Sequence, residues 1–453
     1  MSISTEIADF ITKATIDDFS TESIETAKIA ILDCMACLIA GSTEPIAQLL
    51  CDQAKHNGGN PHSSVFTKNF KTSSQEAALI NGAMAHALDY DDVTEGIKCH
   101  PSVFLVPVAL ALGEYINASG KDILLSYLVG FETACSIGSG LSESYFDDLG
   151  WHPTGPLGAL GSASTASSIL KLNPEQASVA LALAASQASG LRQNFGTMTK
   201  PFHPGLACKN GVLGAQLASA GFTADQNIFE GRFGFLRAFS GGTDYSPANI
   251  LESLKKTNHM MESGVEIKKY PCCGSSHLSL DAIFKIIESH NIDPNAIEKI
   301  TSWVDFDPPR SLVHYNPTSA LEGKFSMQYL LAAALLDNQI GLNSFSDEKI
   351  NRPEIQNLMG KVIMTRHPGN EGKQSWMEGF HKVDIKLTNG DIISNTAERH
   401  YSGALRGATV EQVISKFEDC ASIAFDTSLS HKMKDMILDL ENLEDINQFI
   451  KLF

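Results

Sequence analysis

The sequence has little positive charge. Its 453 residues include 34 lysines and arginines against 52 aspartates and glutamates, which gives a formal net charge of −18. Nucleic acids and anionic membrane surfaces are bound through basic patches, because their phosphates must be neutralised. The composition therefore predicts a protein that binds neither a nucleic acid nor a membrane surface.

The sequence also lacks a long hydrophobic run and a targeting segment. The longest apolar run, VFLVPVALAL at 103–112, contains a proline and is too short to cross a bilayer. The first residues, MSISTEIADF, carry early acids and no basic region of the kind that opens a signal peptide. We predict a cytoplasmic protein.

Cysteine and cofactor motifs offer no metal or redox site. The nine cysteines are scattered, and one CxxC, Cys34 to Cys37, lies in an apolar helical pattern, which favours a place in the core. The sequence has no GxGxxG after a strand, no GxxxxGK[ST], no HExxH and no GxSxG. We therefore expect no cofactor and no metal, and chemistry that depends on side chains alone.

Most of the sequence has a helical pattern. Over roughly the first 260 residues, apolar side chains recur at three-to-four spacing among many alanine, glycine and serine residues. Ser73 with Glu76 predicts a capping box, and Asn173-Pro174 predicts another helix start. Small residues allow helices to approach closely, so this part should form a tightly packed helical body.

The pattern changes after about Gly264. Strands are predicted at 299–306 and 361–365, and a hairpin at 382–394 that turns at Asn389-Gly390. Helical periodicity returns from about Thr409. We predict a mainly α protein in which an all-helical domain, residues 1–264 and 405–453, is accompanied by a smaller α+β lid domain, residues 265–404.

The dipeptide His-Pro occurs more often than the composition predicts. One copy lies in KPFHPGLACKNG, residues 200–211, a concentration of positive groups in an acidic chain. Proline is favoured at the first position of a helix, where backbone N–H groups and the helix dipole attract anions. A histidine there can be a plain cap, or it can belong to an anion site. The four copies begin at His100, His152, His203 and His367.

Three carboxylates precede the first His-Pro, in HALDYDDV at 86–93. Asp89 could orient a catalytic histidine or act as a base, whereas Asp91 and Asp92 could simply solvate a loop. In the predicted second domain, IKKYPCCGSSH at 267–277 and HYNP at 314–317 supply further polar groups, which by their chemistry alone favour a solvated surface.

Taken together, these segments resemble the MmgE/PrpD family, which includes 2-methylcitrate dehydratase, cis-aconitate decarboxylase and iminodisuccinate epimerase. The resemblance runs over nearly the whole chain. It implies a homodimer with a site between the helical domain and the lid that uses neither metal nor cofactor. The matching segments are HALDYDD, HPSVFLVPVALALGE, GWHPTGPLGALGSA, ASQASGLRQNFGTMTKPFHPGLACKNG, KKYPCCGSSH and GKFSMQYLLA.

The resemblance also implies the residues of the site. The implied catalytic residues are His100, Asp89, Lys200, Lys268 and Tyr315, and the implied substrate-binding residues are His152 and His277. We also predict that His203, Thr94 and Arg192 bind substrate. The chain departs from the family pattern where Val93 follows the paired aspartates and where Cys273 takes the place of a histidine that decarboxylases tend to have.

The expected function is that of a cofactor-independent lyase, of the cis-aconitate decarboxylase or 2-methylcitrate dehydratase type. It would move a proton at a carbon next to a carboxylate of a small polycarboxylate, with lysines stabilising the developing charge and His100 carrying the proton. Two alternatives stay open. One is an epimerase of an amino-dicarboxylate such as iminodisuccinate, and the other is a non-catalytic carboxylate-binding protein.

Overall fold

The computed structural model describes residues 2–142, 144–256, 258–371, 379–399 and 403–453, with only the backbone of Glu95. The chain forms two compact units. The first consists of Met1–Gln193, Pro201–Ile267 and Gly403–Phe453, and the second of Asn194–Lys200 and Lys268–Ser402. The assignment of residues 194–200 to the second unit has no counterpart in the sequence pattern.

The first unit is built almost entirely from helices. Two short sheets accompany them: Ser63–Val65 (β1) pairs antiparallel with Phe70–Thr72 (β2), and Val265–Glu266 (β3) pairs in parallel with Leu405–Arg406. The helices before residue 268 are Ile3–Lys13 (α1), Thr21–Gly41 (α2), Pro45–Asn57 (α3), Ser74–His86 (α4), Ser102–Ile116 (α5), Gly120–Gly138 (α6), Ser144–Asp147 (α7), Pro156–Ile169 (α8), Pro174–Gln187 (α9), Thr199–Ser219 (α10), Phe235–Phe239 (α11), Pro247–Lys256 (α12) and His259–Glu262 (α13). They belong to the first unit, except that the first two residues of α10 are assigned to the second.

Helix starts follow the local signals where those signals are complete. Asn173 caps α9 and exchanges hydrogen bonds with Gln176, as a capping box requires. Ser73 likewise accepts from the backbone N–H of Glu76 at the start of α4. The predicted reciprocal bond is replaced, because the Glu76 carboxylate forms an ion pair with Lys209. A tertiary charge contact therefore takes precedence over the local one.

The centre of the first unit is packed closely through small residues. A Cβ at Gly130 of α6 would overlap Thr165 of α8, and a Cβ at Gly158 or Gly161 of α8 would press on the ring of Phe104 in α5. Each of these glycines lets a neighbouring helix or ring approach to a distance that alanine would prevent. Cys34 and Cys37 are fully buried in α2, as their interpretation as core residues predicted.

The C-terminal segment completes the first unit and follows the second unit in the chain. Its helices are Val410–Ala421 (α19), Thr427–Leu438 (α20) and Asn447–Ile450 (α21). Lys416 of α19 lies 2.6 Å from a carboxylate oxygen of Asp33 in α2. The same ammonium group donates to the backbone oxygen of Tyr90 at 2.6 Å and lies 3.7 Å from the centroid of that ring.

The pKa of Lys416 reflects this environment. Burial favours the neutral amine, but the Asp33 carboxylate outweighs burial and raises the pKa of Lys416 well above its ordinary value. The ammonium group is thus charged and buried, and it connects α19, α2 and the loop that follows α4.

The second unit is an α+β structure with one four-stranded sheet. The strand order is β5-β4-β6-β7, in which β4 and β5 are parallel and the other pairs antiparallel. The strands are Ile297–Val304 (β4), Val362–Arg366 (β5), Phe380–Leu387 (β6) and Ile392–Glu398 (β7), and the helices are His277–Ser289 (α14), Ala320–Gly323 (α15), Met327–Asp337 (α16), Asp347–Ile350 (α17) and Pro353–Met359 (α18).

The predicted hairpin is formed by β6 and β7, with Gly390 in the turn at a φ of 96°. The fold class is confirmed, since the protein is mainly α with a smaller α+β part. In the described ranges, no helix combines the length and the apolar character needed to cross a membrane.

Candidate active site

Four histidine rings come together inside the first unit. His86 ends α4, His100 lies just ahead of α5, His152 lies ahead of α8, and His203 lies in α10. The ring centroids of His86 and His100 are 4.4 Å apart, those of His86 and His152 5.9 Å, and those of His152 and His203 5.2 Å. We call these four residues the histidine cluster.

His100 and His152 occupy the places that the His-Pro pattern predicts. Pro101 is the N-cap of α5, and the backbone N–H of His100 donates to Thr154 Oγ1 at 3.2 Å. His152 precedes α8 by one turn, and its backbone N–H donates to the oxygen of Gly190 at 3.0 Å. The first bond joins the loops before the two helices, and the second holds the loop of His152 to the segment after α9.

His203 departs from the predicted position. The helix starts at Thr199, so His203 lies within its second turn and not ahead of it. Two prolines are tolerated because Pro201 falls where helix N–H groups have no intrahelical acceptor, and Pro204 removes a single bond. His203 nevertheless reaches the histidine cluster, with its Nδ1 3.0 Å from Nδ1 of His152.

Asp91 is shared by two of the imidazoles. Its Oδ2 lies 2.9 Å from Nδ1 of His86 and 2.8 Å from Nδ1 of His100. Burial would raise the pKa of the Asp91 carboxyl, but the two histidines outweigh burial and hold this pKa well below its ordinary range. Asp91 is therefore a buried carboxylate that orients both rings.

Asp89 faces the opposite side of His100. Its Oδ1 lies 3.9 Å from His100 Nε2, and the carboxylate is almost completely buried. The backbone of Asp89 has a φ of 52°, a left-handed conformation that aspartate tolerates better than most residues. His100 is thus placed between two carboxylates, one at each ring nitrogen.

Asp92 has a structural place at the start of α5. Its carboxylate accepts from the backbone N–H of Ser102 at 3.2 Å and from the Ser102 hydroxyl, which also contacts the Tyr127 hydroxyl at 2.9 Å. Burial raises the pKa of Asp92 well above its ordinary value. The alternative that Asp91 and Asp92 solvate a loop is wrong, because both side chains are fully buried.

Thr94 and Arg192 have contacts elsewhere in the first unit. Thr94 is buried, and its backbone pairs with that of Cys99. The Arg192 guanidinium stacks on Phe146 at 3.9 Å from the ring centroid and donates to the backbone oxygen of the same residue. These contacts position the loops that carry them.

The second unit holds the predicted lysines. Lys200 is buried, with its Nζ 5.3 Å from the ring centroids of both Phe195 and Phe325, a cation–π arrangement. Lys268 is buried as well, with a relative exposure of 2%. Such buried lysines are uncommon in proteins without a partner of opposite charge or a functional role.

The other predicted residues of the second unit differ in exposure. His277 begins α14 and is buried, with its Nε2 3.2 Å from the Cys272 oxygen, and the neighbouring Cys273 is buried too. Tyr315 has a relative exposure of 42%, and the adjacent His314 contacts the Phe195 oxygen at 2.9 Å.

The histidine cluster and its carboxylates are suited to proton transfer. In a neutral imidazole one nitrogen donates and the other accepts, and Asp91 favours the form that carries its proton on Nδ1. Nε2 of His100 then holds the lone pair, and in the protonated ring it is an acid. The sequence pattern did not identify His86 and Asp91 as site residues, although both lie in HALDYDDV.

Comparison with known proteins gives consistent family matches. The model of the MmgE/PrpD N-terminal domain matches residues 5–248, and that of the MmgE/PrpD C-terminal domain matches residues 270–442. Cis-aconitate decarboxylase of Aspergillus terreus (strain NIH 2624 / FGSC A1156) is 27% identical, over 99% of this chain and 95% of that protein.

Two mammalian proteins give similar values. Cis-aconitate decarboxylase of Homo sapiens is 28% identical over 98% of this chain and 93% of its own length. The protein of the same name from Mus musculus is 28% identical over 100% of this chain and 93% of its own length.

Proposed function

This chain belongs to the MmgE/PrpD family, and from that premise we propose that it is a cofactor-independent lyase acting on a small polycarboxylate, of the cis-aconitate decarboxylase or 2-methylcitrate dehydratase type. The relatives named cis-aconitate decarboxylase support this substrate class. The observation that carries the proposal is the partly exposed imidazole of His100 between Asp89 and Asp91.

The proposed reaction centres on a carbon next to a carboxylate. In decarboxylation the carbon–carbon bond to one carboxylate breaks, CO₂ leaves, and the electron pair stays on the substrate carbon. In dehydration a proton is removed from the carbon next to the carboxylate. Hydroxide leaves from the neighbouring carbon and takes up a proton, so that water is released. Either path needs a group that moves one proton at carbon, and a positioned histidine accelerates such a step by about 10²–10⁴-fold.

We propose that His100 is the residue that moves this proton. The Asp91 carboxylate stabilises the protonated ring and keeps Nε2 as the nitrogen that exchanges the proton with substrate. Asp89, 3.9 Å from this nitrogen, can accept or return the proton between turnovers. His152 and His203 would donate hydrogen bonds to a substrate carboxylate.

Cationic residues would balance the negative charge of the substrate. We propose that Lys200 and Lys268 bind the carboxylates of the substrate. A well-placed cation there stabilises developing charge by about 3 kcal/mol. Both ammonium groups are buried, where a charge contact with the substrate is screened little by solvent ions. Tyr315 would donate a hydrogen bond or assist the departure of hydroxide, and His277 would contact substrate.

The function is tested by following the substrates themselves. The purified chain is incubated in D₂O with cis-aconitate, 2-methylcitrate or iminodisuccinate, and the products are followed by NMR. We expect loss of CO₂ from cis-aconitate or of water from 2-methylcitrate. Deuterium exchange at carbon without loss of either would indicate an epimerase. Thermal stabilisation by these ligands without any chemical change would indicate a carboxylate-binding protein.

Replacing Asp91 by asparagine is expected to lower kcat about 10–100-fold. A neutral amide oxygen is a weaker acceptor than the carboxylate oxygen that lies near both Nδ1 atoms, and it does not stabilise the protonated ring of His100. The measurement is kcat and KM with the substrate that the NMR assay identifies. The substitution should affect kcat more than KM.

The matched control for Asp91 is Asp305→Asn. Asp305 makes the same kind of buried contact, 3.0 Å from Nε2 of His381 in the second unit, outside the proposed site. The control should lose stability and keep kcat within a few-fold of the wild type. An Asp91→Asn chain that folds and turns over at the wild-type rate would exclude the orienting role.

A further inference from the structure

We propose that the histidine cluster is also a binding site for one divalent transition-metal ion of the zinc type. His86, His100 and His152 each place one ligand atom within 4.8 Å of the other two. A second group, which shares His86 and His100 and adds Asp89 and Asp91, meets the same distance. The two groups share His86 and His100; the first adds an imidazole from a third segment of the chain, and the second adds two carboxylates.

The donors are held as metal ligands usually are. Histidines that bind a metal through one nitrogen commonly donate the other N–H to a carboxylate, which fixes the tautomer and the ring orientation. Asp91 accepts in this way from His86 at 2.9 Å and from His100 at 2.8 Å. His152 is held through its Nδ1 by His203 at 3.0 Å. Each of the three rings is thus oriented by a contact of its Nδ1. In a neutral ring that donates its Nδ1–H to Asp91, the lone pair is on Nε2.

The spacing of the donors suits a small ion after a modest adjustment. Zinc binds imidazole nitrogen at about 2.0–2.1 Å in a tetrahedral arrangement, so ligand atoms come to lie roughly 3.5 Å apart. The three ligand atoms lie within 4.8 Å of one another, and side-chain movements of about 1 Å would bring them to that geometry. Three histidines with a carboxylate or a water molecule would complete four-fold coordination.

The chemistry of the donors selects the class of ion. Imidazole nitrogen suits zinc, copper, nickel and iron, whereas magnesium and calcium require an all-oxygen shell. Two carboxylates beside the three neutral rings can balance the charge of a divalent ion. The site is therefore expected to discriminate strongly against Mg²⁺ and Ca²⁺.

A bound ion would inhibit the enzyme, a consequence that rests on the proposed function. Coordination takes the lone pair of His100 that proton transfer needs, and it fills the space next to Asp89. The ion is thus an inhibitor in this proposal and not a cofactor. Removing the ion with a chelator should restore turnover.

The test measures ion binding without any substrate. The metal-free chain is titrated with Zn²⁺ by calorimetry and with Co²⁺ by visible absorption, because the Co²⁺ spectrum reports nitrogen coordination. We expect one equivalent to bind, at least about 10-fold weaker binding in His86→Ala and His152→Ala, and about 10–100-fold weaker binding in Asp91→Asn. Mg²⁺ at the same concentration should not compete.

His431→Ala is the matched control, since this histidine lies on α20 with an exposed ring 3.3 Å from Glu418, and it should bind Zn²⁺ as the wild type does. His152→Gln provides a second variant of similar size if a truncation unfolds, with near-UV circular dichroism to confirm the fold. Equal affinities in the wild type and in the folded cluster variants would overturn the site.

Inhibition is measured separately, with Zn²⁺ held at buffered free concentrations during turnover. Loss of activity at one bound equivalent, reversed by chelation, is the expected result. Full activity of the zinc-loaded chain would overturn the inhibitory role and leave the binding site in place. Absence of turnover with every substrate would instead overturn the proposed function, and the calorimetric result would still decide on the site.

Discussion

Replacing His100 by alanine is expected to lower kcat by about 10²–10⁴-fold and to leave the chain folded. The proposed reaction moves a proton at carbon, and this imidazole has a carboxylate near each of its nitrogens, Asp91 at 2.8 Å and Asp89 at 3.9 Å. Alanine removes the proton carrier and leaves the carboxylates in place. The measurement is the steady-state rate with the substrate identified by NMR.

A control with a second histidine separates chemistry from general damage. His431→Ala removes an exposed ring that is paired with Glu418, and its kcat should equal that of the wild type. Circular dichroism and thermal unfolding should show that His100→Ala keeps its fold, since the ring is partly exposed, at 12% of its side-chain surface. A folded His100→Ala chain with near-full activity would remove this residue from the mechanism.

Replacing Lys416 by methionine is expected to lower the free energy of unfolding by about 3–5 kcal/mol. The substitution leaves the Asp33 carboxylate buried without its cation, 2.6 Å from where Nζ had been. It also removes the hydrogen bond from this ammonium group to the Tyr90 oxygen. Denaturation by guanidinium chloride measures the change.

Two comparisons make the Lys416 result specific. Replacing both partners, Asp33→Leu with Lys416→Met, should recover much of the loss, because apolar side chains of similar volume often substitute well for a buried ion pair. Lys434→Met breaks a partly exposed pair with Glu418 at 3.8 Å and should cost less than about 1 kcal/mol. A Lys416→Met chain as stable as Lys434→Met would show that the buried pair contributes little.

Local signals in the sequence predicted local structure well. The Asn173–Gln176 capping box and the Asn389-Gly390 hairpin each depend on residues within a few positions of one another, so their chemistry is visible in the sequence. The predicted bond from Glu76 back to Ser73 failed because Lys209, far along the chain, offers the carboxylate a cation. The sequence pattern placed residues 194–200 with the helical domain for the same reason, because their neighbours in the second unit lie far away in sequence.

The candidate site was predictable in part. His-Pro located His100 and His152 at helix starts, because proline restricts the backbone wherever it occurs. It misplaced His203, since a proline inside the first turns of a helix does not end the helix. The role of Asp91 could not be inferred from its neighbours in sequence, because its two partners approach it from the end of α4 and the start of α5.

The Lys416 contact has a consequence for how the protein is made. The loop that carries Asp89 and Asp91 is held through the Tyr90 oxygen by a side chain more than three hundred positions later. A nascent polypeptide therefore gains this contact only when residue 416 has left the ribosome, after the whole second unit has been translated. The loop thus acquires this support late in synthesis, with the emergence of α19.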